Sequence, residues 1–505
     1  MLRRVFYAST AFSAVIMGSP LWAATPAEVW QSWQDSATSS GQTLTTENVE
    51  DSGDGIVVTG LSMVSENDGA KSEIRISTLS FTDNGDGTVS VTLPEEMPVT
   101  MTLPADPATG AAKTVSASVL QSGLALTASG QAGAIDYTVA APEITVKLDQ
   151  IEAAEGEPAL SGQAVLTDIS GGYGEKKTGT NTALTYDLKA ASLNFTLNGT
   201  ASDAAGQTST IDLVIGLADP ALSGDGVMMT PAMMENLGKA LADGLASRGR
   251  IAAGATTLVA DVTEAGKTMH LDMTGASSEL NFGLGPQGLV YGAMGKDVKM
   301  TASGGDLPFP ELALSYGEEA FNLQLPLVKA DQPQDFAFLT RLVDFTISEE
   351  VWAMVDPTGQ LPRDPATLVI DTKGTATVTA DIADPAAMTG LQGPPGTLDS
   401  LEVTELHAKA AGAELTGQGA FSFDNTDLQT FGGVPAPTGK LELTLTGGNG
   451  LMDKLVAMGL MAEEDVMGFR MMLAMFTTAA PDKDELTSTL EFRDKGFYAN
   501  GQRLQ

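Results

Sequence analysis

The chain has no cysteine in 505 residues and only two histidines. The first absence excludes a disulfide framework, a lipidated cysteine and any thiolate metal site. The second removes most imidazole chemistry. His270 and His407 lie far apart, neither has a second histidine at i+3 or i+4, and no HExxH occurs. Both read as exposed strand residues. Aromatic residues make up only 6% of the chain, too few for the girdles of an outer-membrane barrel. Basic residues are scarce as well: 27 Lys+Arg stand against 64 Asp+Glu, a formal charge of −37. Nucleic acid and anionic headgroups both need a basic patch, so neither is an expected partner. Beyond the N-terminus no run of about 18 apolar residues exists that could cross a bilayer as a helix. G-x-S-x-G and the P-loop are missing too. The one G-x-G-x-x-G, from Gly283 to Gly288, is followed by Leu289-Val290-Tyr291, which resumes strand where a phosphate loop would open a helix.

What is present begins with an export pattern. Met1-Leu2-Arg3-Arg4 is a short basic start, Val5 to Met17 is apolar, and Leu21-Trp22-Ala23 suits a cleavage site. Residues 1–23 are therefore expected to be a cleaved signal peptide, which implies a periplasmic location. Without that segment, which holds Arg3 and Arg4 and no acid, 25 Lys+Arg face 64 Asp+Glu and the charge becomes −39. Hydrophobic residues at 43% allow a packed core and argue against disorder.

Alternation with period two dominates the rest. It runs through Val89-Val91-Leu93, Ile144-Val146-Leu148, Leu193-Phe195-Leu197, Ile211 to Leu217, Phe321-Leu323-Leu325 and Leu441-Leu443-Leu445. Turn clusters separate these runs at 51–55, 83–87, Asn198-Gly199 and 447–450. Helices are expected at only a few places. Thr25-Pro26-Ala27-Glu28 forms a capping box that starts a helix stacking Trp30, Trp33 and Ala37. Thr230-Pro231 opens a second helix, 335–345 is a third, and 451–461 with 463–476 form a methionine-rich pair. The closing stretch, 486–505, reads as two hairpins turning before Gly496 and at Asn500-Gly501. The fold expected is mainly β: a long curved antiparallel sheet, groove-like or half-barrel-like, with a few short helices. Residues 24–505 form one elongated unit, divisible into halves 24–330 and 331–505.

So few helices cannot cover the apolar faces of so much strand. The nine residues Leu193, Phe195, Leu197, Phe321, Leu323, Leu325, Leu441, Leu443 and Leu445 are candidates to line an apolar groove that suits acyl chains. The same faces also suit an ordinary sandwich core. No catalytic residue, cofactor or metal is implied. The glycine-rich acidic loops at 51–56 and 83–88 fail the EF-hand pattern and read as hairpin turns. Acid pairs such as Glu349-Glu350 read as solvated faces. The methionines at 452, 458, 461, 467, 471, 472 and 475 read first as packing of the helical pair onto the sheet, and second as an adaptable apolar surface.

The segments WAMVDPTGQLPRDPATLVIDTKG from Trp352, PTGKLELTLTGGNGLMDKLVAMGLM, and the closing FYANGQRLQ resemble a family of alphaproteobacterial exported proteins filed as domain of unknown function 2125. The resemblance implies an envelope location and no assigned activity, and no catalytic residues carry over. The strand-rich pattern with a late helix and terminal strand pair also resembles AsmA-like proteins, whose repeating β-groove shelters lipid; this chain lacks their retained membrane anchor. The function expected is a non-enzymatic periplasmic envelope protein binding an apolar ligand such as phospholipid in a β-groove. The alternative is a structural scaffold engaging an envelope protein partner.

Overall fold

A computed structural model describes residues 23–67, 69–104, 113–151, 159–179, 181–202, 207–391 and 393–505. The expected signal peptide, apart from Ala23, lies outside the described residues. Thr25 caps helix α1 (Pro26–Ser39) as its residue types require: its hydroxyl accepts from the Glu28 N–H at 3.3 Å, and the Glu28 carboxylate accepts from the Thr25 N–H at 3.0 Å.

After α1 come β1 (Thr43–Thr45), β2 (Asn48–Asp51), and the hairpin β3 (Gly55–Asn67) and β4 (Ala70–Asp83). The short strands β5 (Val89–Thr92), β6 (Glu96–Leu103), β7 (Lys113–Ser122) and β8 (Ala125–Gln131) lead to the long pair β9 (Ala134–Ile151) and β10 (Ala159–Thr178). Next are β11 (Asn181–Lys189), β12 (Ser192–Ser202), β13 (Thr208–Ala218) and β14 (Ala221–Val227), then helices α2 (Pro231–Glu235) and α3 (Leu237–Ala242). The chain continues through β15 (Ser247–Ala253), β16 (Thr256–Glu264), β17 (Lys267–Gly275) and β18 (Ser277–Gly285). Long strands return with β19 (Gly288–Gly304), β20 (Glu311–Leu325) and β21 (Gln334–Ile347), followed by α4 (Glu349–Val355). Then come β22 (Ala366–Val378), α5 (Pro385–Met388), β23 (Gly396–Ala410), β24 (Ala413–Asp424) and β25 (Ala436–Thr446). The helices α6 (Gly448–Ala457) and α7 (Glu463–Phe476) precede β26 (Thr478–Ala479), β27 (Glu485–Arg493), β28 (Gly496–Ala499) and β29 (Gln502–Arg503).

All strands join one antiparallel sheet. Its plan is a meander, because consecutive short strands are the two halves of one kinked strand. Thus β11 and β12 both pair with β10 end to end, and β14 and β13 continue the two halves on the far side. β15 with β16, and β18 with β17, repeat the arrangement until β19 spans both halves again.

The kink has a residue-level cause. Asp168, Asp219, Asp297 and Asp344 adopt positive φ of 50°, 47°, 49° and 56°, a conformation that Asp tolerates better than most residues. Each sits where the side-chain alternation slips by one residue and the path bends; the pairing register stays unbroken across Asp168 and Asp297 and shifts, as in a β-bulge, at Asp344. The ladder continues through the bend: Ala191 N–H donates to Thr167 O at 2.9 Å, Asp219 N–H to Ala191 O at 2.9 Å, and Gly254 N–H to Ala218 O at 2.8 Å. Stacked from strand to strand, these slips make a crease, and the sheet is concave along it.

The main core lies at one end. Trp30 and Trp33 of α1 place their rings 5.8 and 5.7 Å from Phe81, amid Val58, Leu61, Leu79 and Ile135. A smaller cluster buries Leu241 and Leu245 beside Leu284 and Leu327, at one rim of the sheet. Among the described residues the large, fully buried side chains of β3–β9 include Phe81, Leu61, Leu79 and Ile135, whereas from β10 onward the strands contribute only Val369.

Several expectations are corrected. Residues 335–345 belong to β21, not a helix: the run FAFLTRLVDF also satisfies helical spacing, but β20 and β22 offer hydrogen-bond ladders on both sides. Asn198-Gly199 lies inside β12; Gly199 is small because the Leu160 and Ile211 side chains close over it. The 447–450 cluster starts a helix, with Gly447 at φ 69° as its N-cap. The helix after Thr230 is two short turns divided at Asn236. The final hairpins stand as expected, with positive φ at Asp494-Lys495 and at Asn500-Gly501.

Candidate functional site

The concave face forms an apolar trough of 780 Å³ centred on the crease between β9 and β20. Its lining shows how the slip works. Leu166 and Ile169, Leu217 and Pro220, Ala253 and Thr256, and Gly295 and Val298 are pairs three residues apart, and both members face the hollow. A strict alternation would turn one of each pair away.

Cross-strand register builds the walls. On one side of the crease Leu188, Leu222, Ile251, Leu280, Ala293 and Phe321 stand opposite one another strand by strand. On the other side Phe195, Ile215, Leu258, Met273, Met300 and Leu314 do the same. Side chains directly opposite in an antiparallel pair share a face, so each row is a continuous apolar rib. From β10 to β20 the ribs cross roughly 30 Å at about 4.8 Å per strand. Leu222, Ile251 and Leu325 stay 37%, 46% and 40% exposed, so the described chain does not cover them.

The nine residues expected to line a groove all fall on this one face. Leu323 opposes Phe338, and the line continues through Thr372, Val403 and Gly419 to Leu441. Leu193 and Phe321 line the 780 Å³ trough itself. Leu445 lines a second hollow of 390 Å³ with Leu342, Leu368 and Leu451. Phe195 lies on the second rib, and Leu197, Leu323, Leu325, Leu441 and Leu443 lie outside both ribs and both hollows. The sequence reading missed Leu188, Leu222, Ile251 and Leu280. Leu222 and Ile251 sit in the glycine-rich, weakly apolar strands ALSGDGV and SRGRIAA. Their signal was the change of parity from Leu217 to Leu222.

Charge is kept to the margins. Lys189, Glu279 and Glu319 edge the trough, and the Arg250 guanidinium reaches Glu279 at 2.5 Å, which holds that carboxyl below its ordinary value. Neither histidine faces the hollow. His270 lies on the opposite face from Met269 and Leu271, against Asp261 at 2.8 Å, and His407 contacts Glu414 at 2.9 Å. The acidic loops close hairpins: Asp51 accepts from Gly53 N–H and Asp83 from Gly85 N–H, both at 2.8 Å.

At the α1 end the trough is stopped by a polar latch. The Glu175 carboxylate accepts from Ser36 at 2.5 Å, Ser32 at 3.2 Å and Tyr173 at 2.7 Å, and Lys177 pairs with Asp35. Burial, and then the nearby Glu175 charge, pushes the Tyr137 hydroxyl up to about 12. Among the described residues no helix is long and apolar enough to cross a membrane.

The family model for uncharacterized proteins conserved in bacteria, DUF2125, matches residues 250–503. The matched stretch begins in β15 and takes in one half of the trough and everything after it. No curated protein and no solved structure matches the chain.

Proposed function

The chain belongs to the family of uncharacterized proteins conserved in bacteria, DUF2125, and from that premise we propose a non-enzymatic envelope protein that shelters an apolar, chain-like ligand such as a phospholipid acyl chain. Residues 1–23 would deliver it to the periplasm. One observation supports the ligand: an apolar trough of 780 Å³ runs along the crease, with Leu222 and Ile251 of its wall left exposed to solvent. One leaflet of a bilayer's hydrocarbon is about 15 Å deep, so an acyl chain lying across the strands fits within the roughly 30 Å that the ribs cross. An exposed apolar face of this extent marks a binding surface more often than an accident of folding.

Native mass spectrometry of protein purified from the periplasm tests the reading. The expected result is an adduct that organic extraction releases as lipid, and that a Leu222→Asp, Ile251→Asp double variant no longer carries. A clean apo mass with no extractable lipid would overturn it.

A further inference from the structure

We propose that the trough has a head end, at Glu319 of β20, and that the chain-like ligand it shelters carries a protonated amine there. This inference rests on the trough being a shelter for an apolar chain, and adds the class of head that such a chain bears. Of the three charged residues that edge the hollow, two turn away from it. Lys189 and Glu279 lie next to Leu188 and Leu280, which face inward, and adjacent residues of a strand point to opposite faces. Glu319 has the parity of Phe321 and faces the hollow with it.

The surroundings of Glu319 are small side chains. Across the sheet it stands opposite Gly295, Gly295 opposite Ser278, and Ser278 opposite Ala253. This line is the floor beside the rib of Ile251, Leu280, Ala293 and Phe321, and Glu319 is the first long side chain on it. Tyr316 also lines the hollow, three residues before Glu319, as in the other slipped pairs. Burial, and then its hydrogen bond to Glu319, pushes the Tyr316 hydroxyl up to about 12, so it stays a neutral donor to that carboxylate. Among the described residues Glu319 makes no ion pair, whereas Glu318, on the opposite face, meets Arg341 at 3.8 Å. Glu319 is exposed, so a head held there keeps its contact with water while its chain lies on the apolar floor. An ammonium pairs with this carboxylate through a charge-assisted hydrogen bond, about twice as strong as the neutral one a hydroxyl makes. An anionic head meets repulsion from Glu319 and from the field of a chain at −37.

Probes of one chain length decide the matter. Dodecylamine, dodecanol and dodecanoate are each titrated, below their micellar concentrations and at neutral pH, against Nile red bound to the delipidated full-length protein. Dodecylamine should displace the dye at about a tenth of the concentration that dodecanol needs, and dodecanoate should be the weakest. Glu319→Gln should remove the advantage of the amine and leave dodecanol unchanged. Glu318→Gln alters the net charge equally, on the other face, and should keep the preference intact. Equal displacement by dodecylamine and dodecanol, or the same loss of preference from Glu318→Gln as from Glu319→Gln, would overturn the head assignment and leave the trough standing. No displacement by any of the probes would overturn both.

Discussion

Two stretches of the same sheet carry the same alternation and end differently. In β3–β9 the inward side chains are sealed, with Phe81, Leu79 and Val58 fully buried. In β10–β20 inward residues of equal size remain partly wet. Strand composition does not separate them. What separates them is α1, a single 14-residue helix whose two tryptophans fill the first concavity and whose serines stop at Glu175. Further along, helices stand only at the rims, and polar knots do the holding there. Asp356, 1% exposed, accepts from Gln360 N–H at 2.9 Å, Leu361 N–H at 2.7 Å and Arg363 at 2.8 Å, and the Arg363 guanidinium lies 4.7 Å from the Trp352 ring. One region is closed by apolar packing; the other is framed by hydrogen bonds and left open.

The largest expected effect comes from removing the far edge. Deleting 486–505 bares the ladder of β25 and the Phe421 ring that packs on Phe492, so the truncated protein should aggregate. A truncation that stays monomeric by light scattering would show that the open region needs no finishing strands.

Next is Phe81→Ala, which should cost about 3–5 kcal/mol in urea unfolding, as for other buried aromatics. An effect below about 1 kcal/mol would erase the distinction between the two regions.

Acid should test the rim. Burial opposes charge on Asp356, but the Leu361 and Gln360 N–H groups and then Arg363 outweigh it, holding the carboxyl well below its ordinary 3.8. A carboxylate depressed on folding stabilises fully above its unfolded value and loses that contribution as pH falls through the folded one. Urea midpoints should therefore decline in acid, below about pH 4, more steeply in the natural protein than in Asp356→Asn, which starts lower at neutrality. Parallel acid profiles would remove Asp356 from the account.

The smallest effect is expected at Ile251→Ala. At 46% exposure the loss should stay under about 1 kcal/mol, while the lipid carried falls. A stability loss as large as that of Phe81→Ala would mean that the trough is a core after all.

Much of the architecture was legible because a period of two is hard to mistake. The capping box at Thr25 and the terminal type I′ turns follow from residue type and spacing alone; spacing also puts Leu193, Phe195 and Leu197 on one face of their strand, but only cross-strand register relates that face to Phe321 or Leu441. Residues 335–345 misled because FAFLTRLVDF satisfies both periods, and only the neighbouring strands decide between them. The methionines divide: Met452 of α6 is buried, whereas Met467, Met471, Met472 and Met475 of α7 stay exposed, because helical spacing shows which residues share a stripe but not whether anything lies opposite. The crease was written in the chain as parity changes, for instance Leu166 to Ile169, but reading it requires comparing phase across a strand's midpoint as well as within each half.

The up-and-down path has a consequence for how such a protein can change size. Four kinked passes separate β10 from β19, an even number, and so α4 and the α6–α7 pair emerge on one border while α2, α3 and α5 occupy the opposite one. Adding or losing two passes would lengthen or shorten the hollow and leave every later helix on its own side. A single pass would carry all of them across to the other.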